Sequence, residues 1–290
     1  MRFAGAVVLA CLLTASAEAQ PVVCVAGAPA CTVPAGTYHV ALPAHGSAHP
    51  PAVMFLHGLG GSGEGVLANR TMTDALTARG FAVIAPDGLP SPRRQGLRWS
   101  FRFGTAAPRD DRAFLLSVRD DAATRFGIDP ARIALGGFSN GAFLVTYVAC
   151  AAPGSFAAYL PVAGGFWRPH PEACAGPVAL FTTEGWSDAT VPIEGRPLRN
   201  GEFYQGDIFA TMAIFREASG CSQMRPDIVS TTGAFWRRSW TSCAVGSALE
   251  LALHPGGHAI PDGWAPMVAD WLDTLPPWLS ASAESARERP

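Results

Sequence analysis

The chain has 290 residues, of which 49% are hydrophobic and 15% charged, and its formal net charge is −2. Such a composition supports a sizeable apolar core. The near-balanced charge gives no electrostatic case for nucleic acid or an anionic membrane as partner.

Residues 1–19 read as a secretory signal peptide: Arg2 gives a positive start, an apolar stretch runs from Ala4 to Leu13, and Ala17-Glu18-Ala19 is a small-x-small cleavage site. The apolar part is too short to span a bilayer. A lipoprotein signal through Val8-Leu9-Ala10-Cys11 is the alternative, and it leaves a shorter apolar stretch still. No later segment has eighteen uninterrupted apolar residues, so the mature protein, about 270 residues long, is expected to be soluble and secreted, in the periplasm or outside the cell. Six cysteines follow the leader: Cys24, Cys31, Cys150, Cys174, Cys221 and Cys243. An even number in an exported chain implies disulfides, and pairing neighbours gives Cys24–Cys31, Cys150–Cys174 and Cys221–Cys243. None has the paired C-x-x-C spacing of a zinc site, and no metal is expected.

Short apolar runs at 51–56, 81–86, 133–135, 177–182 and 249–253 read as buried strands of a parallel sheet. Helical spacing occupies 63–79, 110–125, 140–150 and 265–275 between and after them. Asp110 and Asp111 suit a helix N-terminus, where a carboxylate meets the positive end of the dipole. This β-α-β-α rhythm predicts an α/β fold with one central sheet, a single domain over 20–279. Residues 194–240 have weak periodicity and many aromatics, which suggests an inserted cap, and 280–290 are small and polar, as in a disordered tail.

Within this frame Gly137-Phe138-Ser139-Asn140-Gly141 matches G-x-S-x-G, the turn that leaves a serine at the tip between a strand and a helix. A strand at 133–135 enters it and a helix from about Asn140 leaves it, with backbone N–H groups pointing toward the serine. Ser139 is the candidate nucleophile. An oxyanion needs preorganised donors, and the glycine-rich loop His57-Gly58-Leu59-Gly60-Gly61-Ser62-Gly63 can supply one. The Leu59 and Asn140 N–H groups are the candidate pair. The same loop contains G-x-G-x-x-G at Gly58, Gly60 and Gly63, a dinucleotide fingerprint. However, no acidic residue stands at a strand end about 20 positions on, since Asp74 falls within the helical pattern.

In the order serine, acid, histidine, the base lies late in the chain. His258, in Pro255-Gly256-Gly257-His258, is the candidate, and His254, at a strand end, is the structural alternative. Asp188 is the candidate acid in the segment after 177–183, with Glu184 a rival nearer the strand end. Asp87 precedes the serine and breaks the order. In these roles Asp188 accepts the imidazole N–H while His258 takes the Ser139 proton.

With these residues in place, the chain resembles the α/β-hydrolase esterases of the polyhydroxybutyrate depolymerase and feruloyl esterase group. The likeness runs from Cys24 to about Leu275. It includes the HGLGGSG loop, Trp99 in an arginine-rich loop, Asp110-Asp111-x-x-Phe114 before IDPARIALGGFSNG, the S-D-x-x-V-P segment at Asp188, and Gly-Gly-His258. One departure is Glu184-Gly185, where similar proteins usually carry His-Gly. The resemblance implies an α/β-hydrolase fold with a central, mostly parallel sheet. It also implies cofactor-free cleavage of carboxylic esters, either polyester links in soluble oligomers or hydroxycinnamate links to plant polysaccharide. Trp99, Phe101, Phe103 and Trp186 are candidates to line an acyl pocket, against the alternative of ordinary core aromatics. A serine peptidase would use the same machinery, and an inactive binding protein would lack a triad member, which this chain does not. No obligate protein partner is implied.

Overall fold

The computed structural model describes residues 24, 29–92, 95–102 and 107–276. The expected leader at 1–19, the tail at 280–290 and Phe103 lie outside the described residues.

The strands read from apolar runs form the middle of a ten-stranded sheet. Its members are β1 (Cys31–Val33), β2 (Gly36–Ala41), β3 (Ala52–Leu56), β4 (Ala82–Pro86), β5 (Ile133–Phe138), β6 (Ala158–Val162), β7 (Ala179–Gly185), β8 (Ile228–Thr232), β9 (Phe235–Trp240) and β10 (Ala248–His254). Their spatial order is β1-β2-β4-β3-β5-β6-β7-β10-β9-β8. From β4 to β10 every neighbouring pair is parallel, and both edges are antiparallel.

The parallel strands read as unbroken apolar runs because both faces are covered. Alternate residues of β3 enter different clusters: Met54 and Leu56 pack with Leu115, Val145 and Met212, while Val53 and Phe55 pack with Leu76, Trp264 and Val268. The first face is covered by α3 (Asp111–Phe126), α4 (Asn140–Ala151) and α5 (Ile208–Ala218). The second is covered by α1 (Gly63–Ala68), α2 (Arg70–Ala78) and α6 (Trp264–Leu272). Burying such faces is the main favourable term in folding.

Two expectations need correction. The single helix expected over 63–79 is two helices, because Asn69 leaves helical geometry at ψ 81° and its side chain accepts from the Met72 N–H as the cap of α2. The region 194–240 is not one cap. Pro197–Leu198 and Phe203–Gln205 join Trp167–Arg168 in a small three-stranded sheet, whereas α5 packs on the main sheet and β8–β9 extends its edge. In β9 only the end residues Phe235 and Trp240 are buried, one on each face of the sheet, and β8 is almost wholly exposed, so neither strand has the apolar run of the centre.

Three disulfides pair the cysteines as neighbours: Cys24–Cys31, Cys150–Cys174 and Cys221–Cys243. Among the described residues no helix is long and apolar enough to cross a membrane.

Candidate active site

Because β3, β5, β7 and β10 are parallel, the loops that follow them emerge at one end of the sheet. That end carries the glycine-rich loop, Ser139, the Asp188 segment and His258, in the crevice where open α/β sheets bind ligands.

Ser139 sits between β5 and α4 with φ 54° and ψ −113°, a conformation sparsely populated by residues with a side chain. Its N–H donates to the Val162 carbonyl on β6 at 2.9 Å, which holds the turn. The flanking glycines have a steric cause: a Cβ on Gly141 would lie 2.6 Å from the Leu56 carbonyl oxygen, and one on Gly137 would lie 2.8 Å from the Gly141 carbonyl carbon. Strand, turn and helix come too close at this point for any larger residue.

The serine Oγ is 2.9 Å from His258 Nε2, and His258 Nδ1 is 2.7 Å from Asp188 Oδ2. The other oxygen, Asp188 Oδ1, accepts the Thr190 and Val191 N–H groups at 2.7 and 2.8 Å. Those two bonds fix the carboxylate plane so that Oδ2 faces the ring. A carboxylate acceptor keeps the proton on Nδ1, and the Nε2 lone pair is then free to receive the serine proton. The Phe138 ring lies 4.7 Å from the His258 ring and limits its swing.

The rival residues are held elsewhere. Glu184 is fully buried, and its Oε1 accepts the Gly164 N–H at 3.0 Å. Burial pushes its carboxyl well above the usual range. His254 Nδ1 accepts the Gly256 N–H at 3.1 Å, and burial lowers its basicity.

The glycine-rich loop is pinned. Gly60 N–H donates to the Leu97 carbonyl at 2.8 Å and Gly61 N–H to the Gly58 carbonyl at 3.0 Å, so those two amides are engaged within the protein. Gly60 adopts φ 86°, which favours glycine. His57 spans the base of the loop: Nε2 accepts the Gly88 N–H at 3.0 Å, so Nδ1 carries the proton and donates to the Gly58 carbonyl at 2.8 Å. Burial lowers its basicity, consistent with this neutral ring. Asn140 begins α4, so its N–H has no carbonyl one turn back to bond.

The dinucleotide alternative is not favoured. The loop leads into a six-residue helix whose first amide, the Gly63 N–H, is already taken by Asp87 Oδ1 at 2.8 Å. A pyrophosphate would meet a carboxylate there. Among the described residues no group of three or more His, Cys, Asp or Glu side chains could hold a metal ion.

Of the four aromatics proposed for an acyl pocket, the three among the described residues separate. Trp99 is 1% exposed and packs between His57 and Phe114, so its ring belongs to the core. Its backbone serves the site instead: Asn140 Oδ1 accepts the Trp99 N–H at 2.7 Å, and Nδ2 donates to the Trp99 carbonyl at 3.3 Å. Phe101 lies in a ring cluster with Phe143, Tyr147 and Trp167. Trp186, 63% exposed, donates its backbone N–H to the His254 carbonyl at 2.7 Å.

Several supporting residues were missed from the sequence. Asp87, noticed there only as out of order, anchors Gly63, Thr37 and His39. Asp111, read as a dipole partner, accepts the Ser100 N–H at 2.7 Å and pairs with Arg109, holding the loop that follows Trp99. A lone aspartate before a loop gives no sequence signal of such a role.

Parallel strands flanked by helices on both faces, with a serine on a strained strand-to-helix turn at their carboxyl end, define the α/β-hydrolase fold. The chain has that fold. It is 26% identical to NocK of Nocardia uniformis subsp. tsuyamanensis, assigned as an esterase, over 74% of this chain and 67% of that protein. The structure is similar to the acetyl xylan esterase from Aspergillus awamori, with a TM-score of 0.59 and 14% identity over 81% of this chain and 93% of that one. It is also similar to a carboxylesterase from Mesorhizobium loti, with a TM-score of 0.56 and 20% identity over 85% and 98% of the two chains. No family model matches the sequence.

Proposed function

We propose that the protein is an exported serine carboxylic-ester hydrolase acting on polyhydroxybutyrate-type oligoesters or hydroxycinnamate esters through an acyl-enzyme on Ser139. The observation that carries this reading is the continuous line from Ser139 Oγ through His258 to Asp188, at 2.9 and 2.7 Å. The Ser139 oxygen attacks the ester carbonyl carbon as its proton passes to His258 Nε2, and Asp188 stabilises the imidazolium. Negative charge on the carbonyl oxygen is met by the Leu59 and Asn140 N–H groups, held in place before the reaction begins. The alcohol C–O bond then breaks, and the departing oxygen takes the proton back from His258. Water repeats the sequence on the acyl-enzyme, giving its proton to His258, and the free acid leaves as Ser139 regains its hydrogen.

This chemistry needs no cofactor. Export is supported by the leader pattern at 1–19 and by three disulfides, which persist in oxidising compartments.

The test compares wild type with Ser139→Ala on p-nitrophenyl esters, methyl ferulate, hydroxybutyrate oligomers and a peptide library. Wild type hydrolyses esters, and the variant loses at least about 10³ in rate while its fold survives. A phosphonate labels wild type stoichiometrically at Ser139. More than a trace of activity in the variant, or preference for peptides, defeats the reading.

A further inference from the structure

A cavity of about 320 Å³ opens beside the candidate site, walled by Leu59, Val66, Met72, Phe138 and Ile260. Three of its walls are next to the reacting groups. Gly58 and Leu59 belong to the loop proposed to hold the oxyanion, Phe138 precedes Ser139 and its ring lies 4.7 Å from that of His258, and Ile260 follows His258 by two residues. No charged side chain lines it among the described residues. Of the polar residues at its edge, both His57 nitrogens bond within the protein, Ser62 Oγ accepts the Gly65 N–H, and Asn69 Oδ1 accepts the Met72 N–H. With most of the wall apolar, a phenol or carboxylate placed there would find few partners for the water it gives up, which is costly, whereas a hydrocarbon gains from the transfer.

We propose that this cavity receives the acyl chain of the ester bound at Ser139, and that the chain it selects is a flexible aliphatic one of about four to eight carbons. The proposal rests on the reading of Ser139 as nucleophile and deepens it, favouring aliphatic oligoesters over hydroxycinnamates. A volume of 320 Å³ lies at the small end for a ligand pocket. At about 30 Å³ per water in the liquid, it matches roughly ten water-sized groups, and a methylene is of that order. Each methylene moved from water into it raises kcat/KM by roughly fourfold, equivalent to about 0.8 kcal/mol.

The experiment measures kcat/KM for p-nitrophenyl acetate, butyrate, hexanoate, octanoate and dodecanoate, and for methyl ferulate, on wild type, Val66→Phe and Met72→Ala. The ratio of two substrates on one preparation cancels any loss of correctly folded enzyme, so poor folding of a variant does not imitate the effect. Wild type favours hexanoate over acetate by at least about tenfold and falls off by dodecanoate. Val66→Phe lowers the hexanoate-to-acetate ratio at least about fivefold, and Met72→Ala moves the optimum to longer chains. Unmoved ratios in both variants, or a preference for methyl ferulate over hexanoate, overturn the proposal while leaving ester hydrolysis standing. If no ester is cleaved and Ser139 takes no phosphonate, the ester-hydrolase reading fails, and this one fails with it.

Discussion

Asp188 faces His258 at 2.7 Å, whereas Glu184, four residues earlier on the same segment, turns its carboxyl to the Gly164 N–H. The two acids are close in sequence and differently held. Asp188 accepts two backbone N–H groups on its other oxygen, while Glu184 is buried with one such partner.

The proposed roles lead to a clear contrast between conservative variants. Asp188→Asn loses about 10³–10⁴ in rate, because an amide cannot hold the imidazole in the required tautomer. Glu184→Gln keeps a neutral acceptor for Gly164 and retains activity within a few fold. The Glu184 carboxyl is raised well above its ordinary value, so its contribution to stability is complete below about pH 4 and is lost as pH rises through the folded value. Glu184→Gln therefore declines less in melting temperature than wild type between pH 5 and 9. A crippled Glu184→Gln beside an active Asp188→Asn would exchange the two assignments.

Reduction of Cys150–Cys174 should affect stability and leave the chemistry intact. The bridge ties the last turn of α4, the helix that starts at the nucleophile, to the segment entering β7, which leads to Asp188. A loop with a sequence separation of 24 is worth about 3 kcal/mol in the chain-entropy model. For a domain of this size that is roughly 6–12 °C of melting temperature. The double variant Cys150→Ser/Cys174→Ser is expected to show this loss by calorimetry, with activity at 25 °C within about twofold. Peptide mapping of the unreduced protein checks the pairing, and free thiols at both positions would refute it.

A pH dependence also follows from the anchor of the glycine-rich loop. Burial alone would raise the Asp87 carboxyl, but hydrogen bonds from His39, Gly63 and Thr37 outweigh it and hold the group below its ordinary value. The bond to Asp87, stronger in effect than burial, holds His39 above its own. The Asp87 contribution is present above the unfolded value of about 4 and is lost as pH falls through the folded one. The His39 contribution is complete below the unfolded value of about 6.5 and is lost as pH rises through the folded one. The pair is strongest between those limits. Asp87→Asn lowers stability at pH 5.5 by about 2 kcal/mol, as for a charge-assisted hydrogen bond, and shows a smaller drop from pH 5.5 to 8.5 than wild type. Parallel melting profiles for the two proteins over that range would refute the coupling.

The sequence by itself determined five of the six central parallel strands, most of the helices that cover them, the turn at Ser139 and the neighbour pairing of the cysteines. These are local signals. A strand buried on both faces shows as an apolar run, and a turn where a Cβ on Gly141 would meet the Leu56 carbonyl oxygen at 2.6 Å admits only glycine there. The break at Asn69 and the edge strands β8 and β9 were lost because a cap within a helical pattern and an exposed edge strand carry weak periodicity, and β6 was lost because Pro161 interrupts its apolar run. Only the tertiary structure decided which acid and which histidine stand beside the serine. His258 is 119 residues from Ser139 and 70 from Asp188, and what brings them together is the common direction of β5, β7 and β10. Whether an acid at or beyond the end of β7 is aimed at the histidine, as the Thr190 and Val191 amides hold Asp188, or turned into the interior, as at Glu184, depends on backbone groups contributed by the fold, and no residue type records them. The same holds for Trp99, whose ring the sequence offered to a ligand and which the packing of His57 and Phe114 claims for the core.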